Sequence, residues 1–176
     1  MVSGLRSRDQ RIVAGRLVLV PLAVDDADEM AGVLGDPALH AFIGGEPLDA
    51  AALRERYARL VAGHSRDGAE EWFNWIVRGP DGNAVGTVQA TVTDGGRKAE
   101  VAWVVGTPWQ GRGYATEAAR ALVGWLTAGG VVDVVAHVHP DHAASEAVAR
   151  RAGLSPTATV HDGEREWALH AEPDGG

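Results

Sequence analysis

The segment Val104–Ala118 holds three glycines, Gly106, Gly111 and Gly113, between an apolar run and a helical pattern. Glycine has no side chain, so its backbone can approach a ligand closely. The first N–H groups of a helix have no partner within the helix, and the helix dipole adds partial positive charge there. A glycine-rich loop that runs into a helix is therefore a candidate anion cradle, suited to a pyrophosphate.

Two phosphate-binding patterns are incomplete in this loop. Walker A needs a Lys and a hydroxyl after its second glycine, but Arg112 and Gly113 follow Gly111. The dinucleotide fingerprint G-x-G-x-x-G needs a third glycine, where this chain has Thr116. Neither a Walker A nucleotide-binding loop nor a dinucleotide-binding fold is favoured.

A third pattern, Q/R-x-x-G-x-G/A, is complete in Gln110-Gly-Arg-Gly-Tyr-Ala115. Here the sequence resembles the GNAT superfamily of acetyl-coenzyme A-dependent N-acetyltransferases. It is most similar to the branch that includes the ribosomal-protein alanine N-acetyltransferases, of which the run Trp109–Ala118 is typical. The resemblance extends over the element order from Leu17 to about Ala171. It implies a mixed α/β domain whose mostly antiparallel sheet is splayed at the coenzyme site and flanked by helices.

The resemblance also implies roles for individual residues. Backbone N–H groups of residues 110–115 would hold the pyrophosphate of acetyl-coenzyme A, the acetyl donor, and the strand 103–105 would pair with the pantetheine arm. His142 stands where the family has Asn, and Ser145 matches the family's Ser and would hydrogen-bond near the coenzyme, with an exposed helix position as the alternative for Ser145. The predicted cofactor-binding residues are Trp103, Val104, Val105, Gln110, Gly111, Arg112, Gly113, Tyr114, Ala115, Thr116, His142 and Ser145.

Glu100 is the candidate general base for deprotonating an amine acceptor. Many relatives carry a glutamate at the start of the strand before the loop, where Glu100 stands. It shares a strand face with apolar residues, and a carboxylate in such surroundings is expected to have a raised pKa. A plain ion pair with Arg97 or Lys98 is the alternative. The helix that bears the thiolate-protonating tyrosine in many relatives has none here, so solvent or Tyr114 would serve, and Tyr114 is the second candidate catalytic residue.

A competing motif follows the next strand. His137, His139, Asp141 and His142 spell H-x-H-x-D-H, the signature of binuclear metallo-hydrolases. Imidazoles and a carboxylate at a strand end can bind zinc. Only two histidines follow, in a predicted hairpin, so further ligands are lacking. We predict no metal site and keep the metallo-hydrolase as a remote alternative.

Hydrophobic periodicity and turn signals predict the elements that position these residues. Apolar residues after the loop recur at i, i+3, i+4 and i+7, which is typical of a helix with one buried face. The predicted order is β-α-α-β-β-β-α-β-α-β-β, with residues 39–47 as a loop. The predicted strands are Leu17–Pro21, Trp72–Arg78, Val85–Thr93, Ala99–Val105, Val131–Val138, Thr157–Val160 and Arg165–Ala171, and the predicted helices are Asp25–Leu34, Leu48–Ala62, Gly113–Thr127 and Asp141–Ala152.

Composition narrows the classes of function. The chain has 176 residues, a net charge of −8 and no cysteine. The length predicts one domain, assigned to residues 17–171 between a flexible leader (1–16) and a frayed tail (172–176). The absence of cysteine excludes thiolate zinc sites and a cysteine nucleophile. The acidic balance argues against nucleic-acid partners, and the lack of a long apolar run or signal peptide predicts a cytoplasmic protein without membrane partners.

The expected function is N-acetyl transfer from acetyl-coenzyme A to a primary amine by direct attack. The acceptor is open between a small cationic amine, such as an aminoglycoside-type antibiotic, and a protein N-terminus. A non-catalytic acyl-coenzyme A sensor is the alternative, and a homodimer is left open. The acceptor site is expected from residues 40–47, the second helix, the strand at 72–75 and the hairpin near Trp167, with the aromatic cluster of that strand favoured as core.

Overall fold

Eight strands form a single sheet in the structure, a computed structural model that describes residues 9–172. The strands are β1 Ile12–Ala14, β2 Leu17–Pro21, β3 Glu71–Arg78, β4 Ala84–Thr93, β5 Lys98–Val105, β6 Asp133–Val138, β7 Ser155–His161 and β8 Glu164–His170. The helices are α1 Ala27–Val33, α2 Pro37–Ile43, α3 Ala50–Leu60, α4 Tyr114–Ala128 and α5 Ala143–Arg151. The strand order is β1-β2-β3-β4-β5-β6-β8-β7. All neighbouring pairs are antiparallel except β5 and β6, so the predicted mixed, mostly antiparallel sheet is confirmed.

Alternation along β3 divides the core between the two faces of the sheet. Phe73 and Trp75 point to the face covered by α4, where both rings pack against Trp125. Ile76 points to the opposite face and packs in a smaller cluster with residues of α1 and α3. The aromatic cluster of this strand is therefore mainly core, as favoured, while the indole N–H of Trp72 donates to Glu70 at the cluster's edge.

The predicted loop at residues 39–47 is wrong in its first half, because α2 occupies Pro37–Ile43. The Asp36 carboxylate accepts a hydrogen bond from the Ala38 N–H at 2.9 Å, and proline stands at the first helical position. Gly35-Asp36-Pro37 ends one helix and also caps the next. The second predicted helix is confirmed as α3, with its predicted cap Asp49 accepting from Ala52 at 2.8 Å.

The structure also adds a strand at the N-terminus. β1 lies within residues 1–16, which the sequence assigned to a flexible leader, and it pairs with β2. Regular structure therefore begins before Leu17. Residues 1–8 of that leader and residues 173–176 of the tail lie outside the described part. The strand β6 begins at Asp133, two residues later than predicted, and α5 begins at Ala143 rather than at Asp141. None of the helices within residues 9–172 is long and apolar enough to cross a membrane.

Candidate active site

The loop between β5 and α4 presents a run of free backbone donors. Within the described residues, no hydrogen bond is donated by the backbone N–H groups of residues 111–116. Gly111 and Gly113 adopt left-handed φ values of +77° and +82°, which residues with side chains rarely adopt. Gly113 is the N-cap of α4 and has no side-chain cap. The head of a 15-residue helix is therefore open to an anion.

One residue of the predicted cradle differs from expectation. The Gln110 N–H donates to the Thr107 carbonyl at 3.3 Å, so the free donors begin at Gly111. The Gln110 side chain instead fixes the strand end, because its Nε2 donates to the Val105 carbonyl at 3.0 Å. Gln110 therefore joins the loop to β5 and contributes no backbone donor to the cradle.

The strands β5 and β6 separate next to this loop. Their parallel register ends at Glu100 opposite Val135, although both strands continue beyond that pair. A cavity of about 360 Å³ lies between the free end of β5, the loop and α5. It is lined by eleven of the twelve predicted cofactor-binding residues, all except Arg112: Trp103, Val104, Val105, Gln110, Gly111, Gly113, Tyr114, Ala115, Thr116, His142 and Ser145. The splay implied by the resemblance is present.

Arg16, at the turn between β1 and β2, holds the loop from outside the cavity. Its Nη2 donates to the Arg112 carbonyl at 2.6 Å, and its Nε donates to Glu117 Oε1 at 2.9 Å. Its guanidinium also lies 4.8 Å from the ring centre of Tyr114. The C=O and N–H of a trans peptide point in opposite directions. Holding the Arg112 carbonyl therefore turns the Gly113 N–H away from Arg16.

Glu100 lies at the point where the two strands part, and its partner is a histidine. His137 Nδ1 is 3.0 Å from Glu100 Oε1. An ionised carboxylate only accepts hydrogen bonds, so Nδ1 carries the proton and Nε2 of a neutral ring is an acceptor. The Glu100 side chain is 56% exposed, so the apolar surroundings expected for it are absent. The alternative pairing with Arg97 or Lys98 is not the contact observed.

The other members of the histidine string have separate contacts. His139 Nδ1 accepts from the Asp141 N–H at 3.1 Å, whereas the His142 ring stacks on Phe42 with centroids 4.2 Å apart. Within residues 9–172, no group of three or more His, Cys, Asp or Glu side chains is arranged to hold a metal ion. The sequence pattern H-x-H-x-D-H thus does not converge on one point.

His142 and Ser145 lie together at the start of α5. Ser145 Oγ is 3.4 Å from His142 Nε2, and both residues line the cavity that reaches the loop. Burial, with a smaller contribution from the neighbouring His139, lowers the pKa of His142. The imidazole is therefore neutral near pH 7 and stacks on Phe42 of α2 without a charge.

A second cavity of about 370 Å³ adjoins the first between the helical layer and the sheet. The two cavities share Ile43, Trp103 and Val104. Of the segments expected to form an acceptor site, His40 and residues 43–46, α3 and Asn74 line it. Trp167 does not, because it is 1% exposed in the core beneath α5 and Arg150. A ligand in the second cavity can therefore approach one in the first at the wall formed by β5.

Tyr114 is buried at the first turn of α4, with 7% of its surface exposed. It lines the same cavity as the loop, whereas Glu100 lines a smaller adjoining one with His137. The two candidate catalytic residues, Glu100 and Tyr114, therefore line two different, adjoining cavities.

Sequence reasoning missed Arg16, the pairing of His137 with Glu100, and the residues of the second cavity that lie on β4. An arginine beside Gly15 carries no motif, and its contacts lie about a hundred residues along the chain. The alternating pattern of β4 and its turn signals are enough to predict that Thr87 and Gln89 lie on one face of the strand. They do not predict that a cavity lies next to that face.

Three comparisons bear on this site. The sequence model of the acetyltransferase (GNAT) domain family matches residues 16–155. No curated protein sequence matches the chain. Among solved structures, RimL, an α-N-protein acetyltransferase of a ribosomal protein in complex with coenzyme A, is 17% identical over 94% of this chain and 100% of its own, with a TM-score of 0.78.

Two further solved structures have the same fold. An acetyltransferase from Agrobacterium tumefaciens is 25% identical, with 92% of this chain and 94% of that chain covered and a TM-score of 0.71. The aminoglycoside acetyltransferase AAC(6')-Ib, in complex with coenzyme A, is 19% identical, with 88% and 94% covered and a TM-score of 0.73.

Proposed function

This chain belongs to the GNAT acetyltransferase family, and we propose that it transfers the acetyl group of acetyl-coenzyme A to a primary amine by direct attack. The observation that carries this proposal is the run of free N–H groups at residues 111–116, in the cavity beside the part of β5 that no longer pairs with β6. Solved relatives of the same fold hold coenzyme A.

The pyrophosphate of the donor fits the loop at the head of α4. Free backbone N–H groups and the helix dipole stabilise an anion without needing a positively charged protein. Trp103, Val104 and Val105 extend from the splay point towards this loop, so an extended pantetheine arm can pair with their backbone. His142 and Ser145 form the opposite wall of the same cavity.

The chemistry requires one proton to leave the amine and one to reach sulfur. The neutral amine nitrogen attacks the thioester carbonyl carbon, a C–N bond forms, and the C–S electron pair leaves with the thiolate. We assign the proton acceptor to Glu100 together with His137, because a carboxylate that holds Nδ1–H leaves Nε2 free to accept. A large share of the rate comes from holding the two substrates together.

The leaving thiolate takes its proton from solvent or from Tyr114. Tyr114 is the tyrosine candidate because it lines the donor cavity. The chain contains no cysteine, so an acetyl-cysteine intermediate is excluded and direct transfer is the simplest route.

The acceptor is a primary amine, either on a small molecule or at a protein N-terminus. The second cavity supports this assignment, because it meets the donor cavity at Trp103 and Val104. Calorimetry with acetyl-coenzyme A, followed by a thiol-release assay over a panel of amines, tests the proposal. Tight binding with thiol release upon addition of an amine supports it. Tight binding without turnover on any amine favours the acyl-coenzyme A sensor, and no binding contradicts both.

A further inference from the structure

The second cavity has a strongly apolar lining. Eight of its residues are large aliphatic or aromatic side chains: Leu22, Leu34, Ile43, Leu48, Leu53, Tyr57, Leu60 and Trp103. Its rim is apolar as well, because Ile43 and Leu48 are 50% and 41% exposed. Exposed large apolar side chains that gather at one opening are typical of a binding surface for an apolar group.

The charges at this cavity nearly cancel. Glu46 and Arg56 are the only Asp, Glu, Lys or Arg side chains among its described lining residues. Both are exposed at the mouth rather than buried. Each further ammonium group of a ligand would have to leave water without a carboxylate partner, which is unfavourable. One carboxylate suffices for a single ammonium group but not for three or more.

The floor of the cavity offers uncharged hydrogen-bonding groups. Asn74 on β3 and Gln89 on β4 are directly opposite each other in the register. Their side chains therefore lie side by side on the sheet face that α1 and α3 cover. Neither side-chain amide hydrogen-bonds to another described residue. Thr87, two positions from Gln89, adds a hydroxyl to the same face. Such groups suit a neutral amide or hydroxyl of a ligand.

We infer that the acceptor is a singly charged primary amine on an uncharged, largely apolar body that carries an amide or hydroxyl group. This inference rests on the proposed acetyl transfer and names the chemistry of its second substrate. A peptide N-terminus with an apolar first side chain has this chemistry, and so does a small apolar amine with one amide. Polyamines and aminoglycosides do not have it.

The test compares initial rates of thiol release from acetyl-coenzyme A for four acceptors. These are a tripeptide amide with leucine at its N-terminus, leucinamide, spermidine and kanamycin. We expect the kcat/KM of the first two to exceed that of either polycation by at least about tenfold. A higher value for the tripeptide identifies a peptide, and a higher value for leucinamide identifies a small amine. A polycation that equals or exceeds both overturns the inference but leaves the proposed function intact. Failure of all four despite coenzyme binding contradicts both.

A matched pair of variants sharpens the test. Asn74→Asp adds a carboxylate to the cavity floor with almost no change in shape, and Asn83→Asp adds the same charge in the β3–β4 hairpin, outside the cavity. Asn74→Asp should raise kcat/KM for spermidine relative to leucinamide by about tenfold, whereas Asn83→Asp should leave the ratio unchanged. Circular dichroism checks that both variants fold. An unchanged ratio in a folded Asn74→Asp protein contradicts the inference.

Discussion

Arg16 donates to the loop between β5 and α4 from a distant part of the chain, and from the proposed function we expect its replacement to weaken coenzyme binding specifically. The change is Arg16→Ala. It removes the donors to the Arg112 carbonyl and to Glu117, and the cation beside Tyr114. No other described side chain donates to the Arg112 carbonyl, so the peptide that presents the Gly113 N–H loses its constraint.

The size of the effect follows from these contacts. The ion pair with Glu117 is half exposed on the arginine side and contributes little, about 0.5 kcal/mol. The charged hydrogen bond to the Arg112 carbonyl contributes about 1.5 kcal/mol, and the contact with the Tyr114 ring about 0.5 kcal/mol. The three contributions amount to about 2.5 kcal/mol, and since 1.4 kcal/mol is a factor of ten, we expect Kd for acetyl-coenzyme A to rise about sixtyfold when all of it is lost.

Isothermal calorimetry with acetyl-coenzyme A measures this change, and steady-state kinetics separates KM from kcat. The KM for the coenzyme should rise with Kd, while kcat at saturation should stay within about twofold, because Arg16 does not contact the amine cavity. Arg54→Ala is the matched control. Arg54 is also 50% exposed and paired to a carboxylate, Asp28, but lies away from the loop.

Two results would refute the reasoning. An unchanged Kd for Arg16→Ala, in a protein that still folds, means that the loop does not depend on this arginine. A wild-type Kd for Arg16→Lys would mean that positive charge alone matters. An ammonium group cannot reproduce the two guanidinium hydrogen bonds, one to the Arg112 carbonyl and one to Glu117. We expect Arg16→Lys to recover the affinity only in part.

Three further predictions concern other residues of the cleft. Gly113→Asp places a carboxylate in the cradle and should raise Kd for acetyl-coenzyme A by about 100-fold or more in calorimetry, whereas Gly82→Asp, at a similar φ of +84° in an open hairpin, should not change it. Glu100→Gln should lower kcat about 100-fold with Kd for the coenzyme nearly unchanged, and wild-type rates across the pH range would exclude Glu100 as the base. Burial lowers the pKa of His142 below its usual value of 6.5, so this side chain contributes stability at neutral pH that is lost as the pH falls below about 6.5. His142→Asn should therefore show a smaller drop in the free energy of unfolding between pH 7 and pH 5 in denaturant titrations, and an equal drop would contradict the assigned burial.

The predictable parts of this molecule depend on local sequence. The apolar stripe of α4 and the glycines before it lie within one segment, so the glycine-rich loop and the start of α4 could be located from the sequence. The element α2 was missed although its signals are also local. Asp36 and Pro37 follow the end of α1 and also begin α2. Asp and Pro occur both in loops that end a helix and at the N-terminus of a helix, so these residues alone do not show that a second helix begins.

Other parts of the site depend on contacts between distant segments. His137 and Glu100 lie 37 positions apart and come together only because β5 and β6 are parallel neighbours that part just beyond Glu100. In the sequence, His137 is grouped with His139 two positions away, which suggested a metal motif. Alternation along β6 places these two side chains on the same face, yet each finds its own partner, Glu100 or the Asp141 N–H. Spacing along a strand fixes the face but not the partner.

The acidic balance of the chain is compatible with an anionic donor because the cradle is local. A net charge of −8 weakens long-range attraction of acetyl-coenzyme A, and salt screens charges more than about 8–10 Å apart. Glu117 lies in the first turn of α4, directly after the loop, and Arg16 pairs with it at 2.9 Å. The N–H groups of residues 111–116 then act at short range, where the dipole of α4 is strongest. In the proposed anion site, Arg16 therefore has two roles: it orients the loop, and it pairs with the carboxylate that would oppose anion binding.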